Sequence, residues 1–384
     1  MFTSNFHPHY SGAAKQAVSI AKEIRKSGIE TFFVTVENGK LKRHEKFDGF
    51  DVYRIKEGKG KVKELVLWWN LFRILYKKRK DFDIIHSHGA YYKNSIIGLM
   101  GKFLKKSTVT KISMSNNDLS GIGQGFYGRI HKELFNMFDS CVSISPEISA
   151  ELSKISLRHK RIRELPNGVN SDRFMPVSPE EKENLREKLK LPAGIIFLYV
   201  GGISERKNVE WLLKTWSEIF KDELDTSLIL VGPASREDSK KILINSLIDY
   251  VAQNGLARKV LFRDYTEAIE KYFQAADIFI LPSKNEGMPN VLIEAMSCSL
   301  ACMTTKVSGA SELIIEGETG VFFETDIKGD FRSKITWLKD NHEERERIGT
   351  AARALILQKF CLNKIGKEYV DLYSDLMILR PAKF

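Results

Sequence analysis

Two carboxylates eight residues apart, Glu286 and Glu294, stand in the run Pro282-Ser-Lys-Asn-Glu-Gly-Met-Pro-Asn-Val-Leu-Ile-Glu-Ala-Met296. A carboxylate pair suits acid–base or nucleophilic work on a glycosidic bond, and equally suits accepting hydrogen bonds from ligand hydroxyls. In an unbroken helix the two would lie about 12 Å apart, too far to share one small ligand. Gly287 and Pro289 argue against such a helix, since Gly favours a turn and Pro fits a first helical position. The expected order is a strand at Asp277–Leu281, a loop bearing Glu286, and a helix opening near Asn290 with Glu294 in its early turns. Both carboxylates then face one crevice at the carboxyl end of a strand, where open α/β sheets bind ligands.

Gly201-Gly-Ile-Ser-Glu-Arg-Lys-Asn208 follows the apolar run Ile195–Val200 and precedes a helical pattern. Such a turn frees backbone N–H groups toward a phosphate, and Arg206 and Lys207 add charge-assisted hydrogen bonds to a diphosphate. The plainer alternative is a tight turn with two solvated cations. Tyr10-Ser-Gly-Ala-Ala14 occupies the equivalent turn of the first half, where Gly12 and Ala13 allow close approach of a ligand, or simply begin a helix. His86-Ser-His88-Gly89 ends another strand. The pair is expected to point to opposite faces, which leaves His88 as the one facing the ligand side. No third ligand of suitable spacing accompanies them, so no metal is expected.

These loops need elements to hold them. Short β-rich runs alternate with amphipathic stretches throughout, from Thr31–Val36 and Phe50–Ile55 to Ala301–Thr305 and Gly320–Phe323. Two rounds of this alternation predict an α/β chain of two doubly wound, Rossmann-like parallel-sheet domains. The expected division is 1–170, 171–360, and a C-terminal helix over 361–384 that packs back on the first domain, the break falling at Pro166-Asn-Gly-Val-Asn170. The long helical stretch Glu343–Met377 is expected to pack across both. Met1-Phe-Thr-Ser-Asn leaves a first strand of two or three residues, which favours a start further upstream.

The 384 residues carry 60 Lys and Arg against 49 Asp and Glu, unevenly placed. Residues 1–170 hold 30 against 16, and the remainder 30 against 33. A basic first half calls for an anionic partner such as lipid or a phosphorylated acceptor; no recognised nucleic-acid module supports nucleic acid. Leu65–Tyr76, apolar and aromatic with Lys77-Lys-Arg-Lys80 behind it, reads either as an interfacial membrane helix or as a sheet-covering helix with a basic end. No apolar run reaches the length of a membrane span and no secretory signal opens the chain. Four sparse cysteines lack zinc-ligand spacing; Cys298 and Cys302 read as buried thiols, and the usage fits a reducing cytoplasm, with peripheral attachment to the inner face of the plasma membrane as an extension.

The chain resembles the family-4 retaining glycosyltransferases of GT-B type over essentially its whole length. The resemblance rests on the Glu-x7-Glu segment, on Ala276–Ser283 before it, on Pro166–Asn170 with Phe174, on Gly201–Lys207 and on Gly317–Val321. It implies two domains facing across a cleft and a UDP-, GDP- or ADP-sugar donor. Glu294 would hold the ribose, Glu286 the donor sugar, and Lys207 with the backbone of Gly287, Met288, Pro289 and Asn290 the diphosphate. Three positions depart from the family pattern. Gly202 replaces an arginine, Ser299 replaces a glycine, and the first domain offers small polar residues, Ser113 or Asn116, where a histidine is usual. The expected reaction is metal-independent, cofactor-free transfer with retention to a saccharide or lipid-linked acceptor, in cell-surface polysaccharide or glycolipid synthesis. A glycoside hydrolase using both carboxylates, and a non-catalytic membrane-associated protein of degenerate fold, are the alternatives.

Overall fold

The computed structural model describes residues 1–8, 12–37, 39, 41–89, 92–114, 119, 121–155, 161–232, 238–327 and 329–378. It divides into two compact units, one of residues 1–168 together with the chain from Leu362 onward, the other Val169–Cys361.

The first unit is built on eight strands: β1 (Phe2–Thr3), β2 (Phe33–Val36), β3 (His44–Phe47), β4 (Phe50–Ile55), β5 (Ile84–His88), β6 (Ser107–Ile112), β7 (Ser140–Ser143) and β8 (Arg161–Glu164). Their order is β3-β4-β2-β1-β5-β6-β7-β8, parallel except for β3. The short β1 is central, between β2 and β5. β3 joins β4 through a two-residue turn, Asp48-Gly49, with φ of 50° and 78°. A hairpin turn of that hand suits the twist of the flanking strands and favours Asp-Gly.

Helices α1 (Gly12–Arg25), α2 (Lys63–Lys77), α3 (Tyr92–Leu104), α4 (Gly125–Phe135) and α5 (Pro146–Lys154) connect these strands. In α1 the residues Ala17, Ile20, Ala21 and Ile24 recur at helical spacing and are buried, which binds the helix to the sheet. Strand alternation sends Val109 of β6 to that face, while Thr108 meets Gly101 of α3 on the other.

The second unit holds β9 (Ile195–Val200), β10 (Thr226–Val231), β11 (Val260–Arg263), β12 (Ile278–Leu281), β13 (Ala301–Thr304) and β14 (Val321–Phe322), all parallel, in the order β11-β10-β9-β12-β13-β14. Its helices are α6 (Pro179–Leu189), α7 (Val209–Phe220), α8 (Asp238–Gln253), α9 (Glu270–Ala275), α10 (Asn290–Ser297), α11 (Asp330–Asp340) and α12 (His342–Lys359). Val209, Leu212, Leu213, Trp216 and Phe220 form the buried stripe of α7, and Phe220 stacks on Phe197 of β9 at 5.1 Å. Each such side chain removed from water contributes about 1.5–3 kcal/mol. Strands β12 and β13 are buried on both faces, as expected of a covered parallel sheet.

The helical stretch expected over Glu343–Met377 is two helices. α12 closes at Phe360, Cys361 bridges to Val169, and α13 (Leu362–Ile378) returns to the first unit. There α13 packs on α1 and lays Ile365, Tyr369, Leu372 and Tyr373 over Val109 and Val142. All four cysteines are free and buried.

Candidate active site

In the second unit the strand order reverses between β9 and β12, and sheets of this kind take ligands beyond the carboxyl ends of the strands at that switch point. The turn after β9 and the loop after β12 are therefore neighbours, although 79 residues separate Lys207 from Glu286. Close backbone packing shapes the turn. A Cβ on Gly232 would lie 1.9 Å from the Gly201 carbonyl, and the Tyr199 hydroxyl donates to the Gly202 carbonyl at 3.0 Å. A single 3-10 turn, Glu205–Lys207, follows, and Asn208 at φ 55° begins α7.

The backbone N–H of Lys284 donates to the Arg206 carbonyl at 2.9 Å, fastening loop to turn. Arg206 donates from Nη1 to the Asn285 carbonyl at 2.6 Å and lies 3.2 Å from Glu286 Oε2. Lys207 Nζ forms an ion pair with Glu286 Oε1. The Lys207 and Glu286 side chains are 14% and 10% exposed and Arg206 is 42% exposed, so the pair is nearly dry and the arginine is half in water. Burial alone would raise the Glu286 carboxyl, but Lys207 and Arg206 outweigh it and hold the group below the usual carboxylate range. Burial also lowers the Lys207 ammonium, and Glu286 opposes that shift. The carboxylate is thus the counter-ion that keeps a desolvated lysine charged.

α10 opens at Asn290 after Pro289, as the Gly-Met-Pro corner implied. Six of its eight residues are buried; the exceptions, Asn290 and Glu294, are four apart and share one face. Glu294 therefore stands on the open side of an otherwise enclosed helix, one turn beyond its N-terminus. Gly287, Met288 and Pro289 are buried in the loop ahead of it.

Gly309, which the sequence reading passed over, sits at φ 71°, where a Cβ would lie 2.4 Å from the Gly287 carbonyl. The signal lay in Ser308-Gly309 following an apolar strand, a turn cue of the same kind as Gly201. The serine in place of a glycine, Ser299, has φ 60°, which explains why glycine suits that position. A Cβ on Gly202 would meet nothing within 4 Å, so the missing arginine leaves open space. Arg206 reaches the Glu286 loop from its own position instead.

In the first unit the strand order reverses between β1 and β5. Gly12 and Ala13, half-buried, open α1 after β1, and His88 ends β5. Ser113 is half-buried just past β6, and Asn116 lies outside the described residues, as do Tyr10 and Ser11. The expectation that His86 and His88 point to opposite faces is wrong. Side chains two apart in a strand share a face, and the two rings stack at 4.4 Å. Both are buried, and the Tyr373 hydroxyl of α13 lies 2.6 Å from His86 Nδ1, so His88 is a packed core residue rather than an open one. Lys111 pairs with His88 in the ladder and lies 5.6 Å from the Tyr369 ring centroid, its Nζ buried and without a hydrogen-bond partner among the described residues. Burial pushes its ammonium down to about 7. Burial and, after it, neighbouring cations push both histidines well below their ordinary value. A lysine inside a strand of this polarity gave no warning of burial.

The family model for glycosyl transferases group 1 matches residues 181–355, and that for Glycosyltransferase Family 4 matches residues 10–173. An uncharacterized glycosyltransferase of Methanocaldococcus jannaschii is 25% identical over 81% of this chain and 79% of its own. The UDP-Gal:alpha-D-GlcNAc-diphosphoundecaprenol alpha-1,3-galactosyltransferase of Escherichia coli is 23% identical over 83% and 81%. Among solved structures, HepE of Anabaena in complex with UDP-glucose superposes with a TM-score of 0.78 at 18% identity, over 97% of this chain and 98% of that one.

Proposed function

Because the chain belongs to the family-4, group-1 glycosyltransferases and has their GT-B fold, we propose that it moves a glycosyl group from a nucleoside diphosphate to a hydroxyl, with retention of anomeric configuration. The observation that carries this reading is the Arg206–Lys207–Glu286 constellation at the switch point of the second unit, beside the helix bearing Glu294.

As the bond from the anomeric carbon to the β-phosphate oxygen breaks, negative charge grows on the diphosphate and positive charge on the sugar. Lys207, Arg206 and the N–H groups at the start of α10 are fixed in advance where the first charge grows, without a metal ion. The acceptor oxygen bonds to the anomeric carbon from the face the diphosphate leaves, and its proton passes to a departing phosphate oxygen. Glu294 accepts hydrogen bonds from the ribose hydroxyls, and Glu286 faces the sugar. Hydrolysis by the two carboxylates gives no use for the two cations that Glu286 holds.

The E. coli relative is named for transfer from UDP-Gal to a diphosphoundecaprenol-linked sugar, which supports a UDP-type donor, ahead of GDP or ADP, and a lipid-linked or saccharide acceptor. The acceptor belongs to the first unit, with Ser113 and Asn116 as its polar contacts. The basic character of that unit fits an anionic membrane surface on the cytoplasmic side and a role in cell-surface polysaccharide or glycolipid synthesis. Thermal shift against UDP, GDP and ADP, followed by NMR of the anomeric product formed from the matching sugar nucleotide, tests the proposal. One diphosphate should raise the melting temperature in the wild type, and by less in Glu294→Ala at the same concentration. Indifference to all three, or an inverted product, sinks it.

A further inference from the structure

We propose that α2 and α3 together form the face on which this protein lies against an anionic bilayer, with Trp69 and Phe103 at the headgroup–acyl boundary. This extends the membrane reading of the first unit and is independent of the donor site.

Helix α2 carries two apolar stripes where a sheet-covering helix needs one. Leu67, Leu71 and Leu75 are buried toward the unit's interior. Leu65, Trp69, Phe72 and Tyr76 recur at spacings of four, three and four on another side, and Leu65 and Trp69 are 60% and 64% exposed. α3 adds Leu99 and Phe103, the latter 69% exposed. The Phe72 and Phe103 rings meet edge to face at 5.4 Å, which joins the two stripes into one surface. Large exposed apolar and aromatic groups that are contiguous mark a docking surface, whereas scattered ones do not.

Charge identifies the occupant. Residues 56–80 and 92–106 contain 13 Lys and Arg against two acids, Glu57 and Glu64. Arg73, Lys77, Lys80 and Lys105 are exposed, and none forms an ion pair with another described residue. Arg73 lies one turn from both Trp69 and Tyr76, and the Arg79 guanidinium sits 4.1 Å over the Tyr76 ring. Aromatic side chains fringed by unpaired cations match the anionic headgroup layer of a membrane. A second copy of the chain on the same face would set these cations against themselves. Among the described residues no helix is long and apolar enough to cross a membrane, so the contact is one of lying on the surface.

The test uses the full chain with vesicles of phosphatidylcholine alone and with added phosphatidylglycerol, read by co-sedimentation and by quenching of tryptophan emission with brominated lipid. The wild type should bind only the anionic vesicles, weakening roughly fivefold for each cation among Arg73, Lys77 and Lys80 that is replaced by Gln. Leu65→Ser/Trp69→Ser/Phe103→Ser should lose binding at least tenfold, and Trp69→Phe should keep binding but lose most of the quenching. These positions are exposed, so the nucleotide-induced thermal shift of the second unit should persist in every variant. That persistence separates failure here from failure of the transferase reading. Equal binding to both vesicles, undiminished binding of the triple variant, or quenching that survives Trp69→Phe overturns the proposal. So does wild-type self-association that the triple variant abolishes while vesicles are ignored, because a second copy is then the occupant.

Discussion

Replacing Glu286 by Gln keeps the shape of the side chain and one oxygen acceptor while removing the charge that neutralises Lys207 and Arg206. The cost can be worked from the exposures. Lys207 is nearly dry, so stranding its ammonium costs about 3 kcal/mol, the low end for a broken buried pair. Arg206 is 42% exposed at 3.2 Å, and water screens it enough that its share is under about 1 kcal/mol. For a unit of this size about 3 kcal/mol lowers the melting transition by roughly 6–12 °C. The ligand side moves the other way. In the wild type a diphosphate must take the two cations from Glu286 and tolerate a carboxylate nearby. At an effective dielectric of 20 and about 8 Å that repulsion is worth ~2 kcal/mol before salt screening. The variant should therefore bind a free nucleoside diphosphate about tenfold more tightly than the wild type, while sugar transfer falls at least a hundredfold. Saturating diphosphate should also recover more of the variant's melting temperature. Calorimetric titration of wild type, Glu286→Gln and Glu294→Gln with the same diphosphate measures it. If Glu286→Gln melts with the wild type, or loses affinity in step with Glu294→Gln, the counter-ion account of this site is wrong.

Glu294→Ala should weaken a nucleoside diphosphate by roughly 1–3 kcal/mol, the cost of leaving hydroxyls unpaired, yet leave a 2′,3′-dideoxy analogue unaffected in calorimetry. Gly309→Ala places a Cβ 2.4 Å from the Gly287 carbonyl at φ 71° and should cost about 2–4 kcal/mol in stability and most of the diphosphate binding. Gly317→Ala, at φ 69° with nothing within 4 Å, should cost only about 1 kcal/mol and keep full binding, and equal behaviour of the two would refute the close-approach account. Lys111 gives a pH dependence whose sign is fixed. The folded protein releases this proton near 7, the unfolded chain only near its ordinary value of 10.5, so the unfolded state binds more protons between them and stability rises with pH there. Lys111→Met, close in volume, should flatten that rise and stabilise the first unit by up to roughly 5 kcal/mol below pH 7. Urea melts at about pH 8.5 and about pH 10, above the range in which the buried N-terminal amine, His86 and His88 add a rise of the same sign, check it, and a slope that survives in the variant contradicts the buried-lysine assignment.

The alternation of apolar runs with amphipathic stretches was enough to read two parallel α/β units. Local turn chemistry was enough to place Glu286 in a loop and Glu294 in the early turns of α10. These features depend on neighbours within a dozen residues, and a linear chain displays them. The Asp48-Gly49 turn displayed the β3–β4 hairpin just as openly and was overlooked. Other features could not be read along the chain. That Lys207 meets Glu286 depends on β9 lying beside β12, a pairing selected by how whole faces bury together. The fate of Lys111 and His86 depends on α13 returning from the far end of the chain to cover them. Leu99 and Phe103 extend the aromatic surface of α2 only because α3 packs beside it. Residue types and spacing determined which groups were available for chemistry; long-range burial decided which of them meet, which are enclosed, and which are left facing outward.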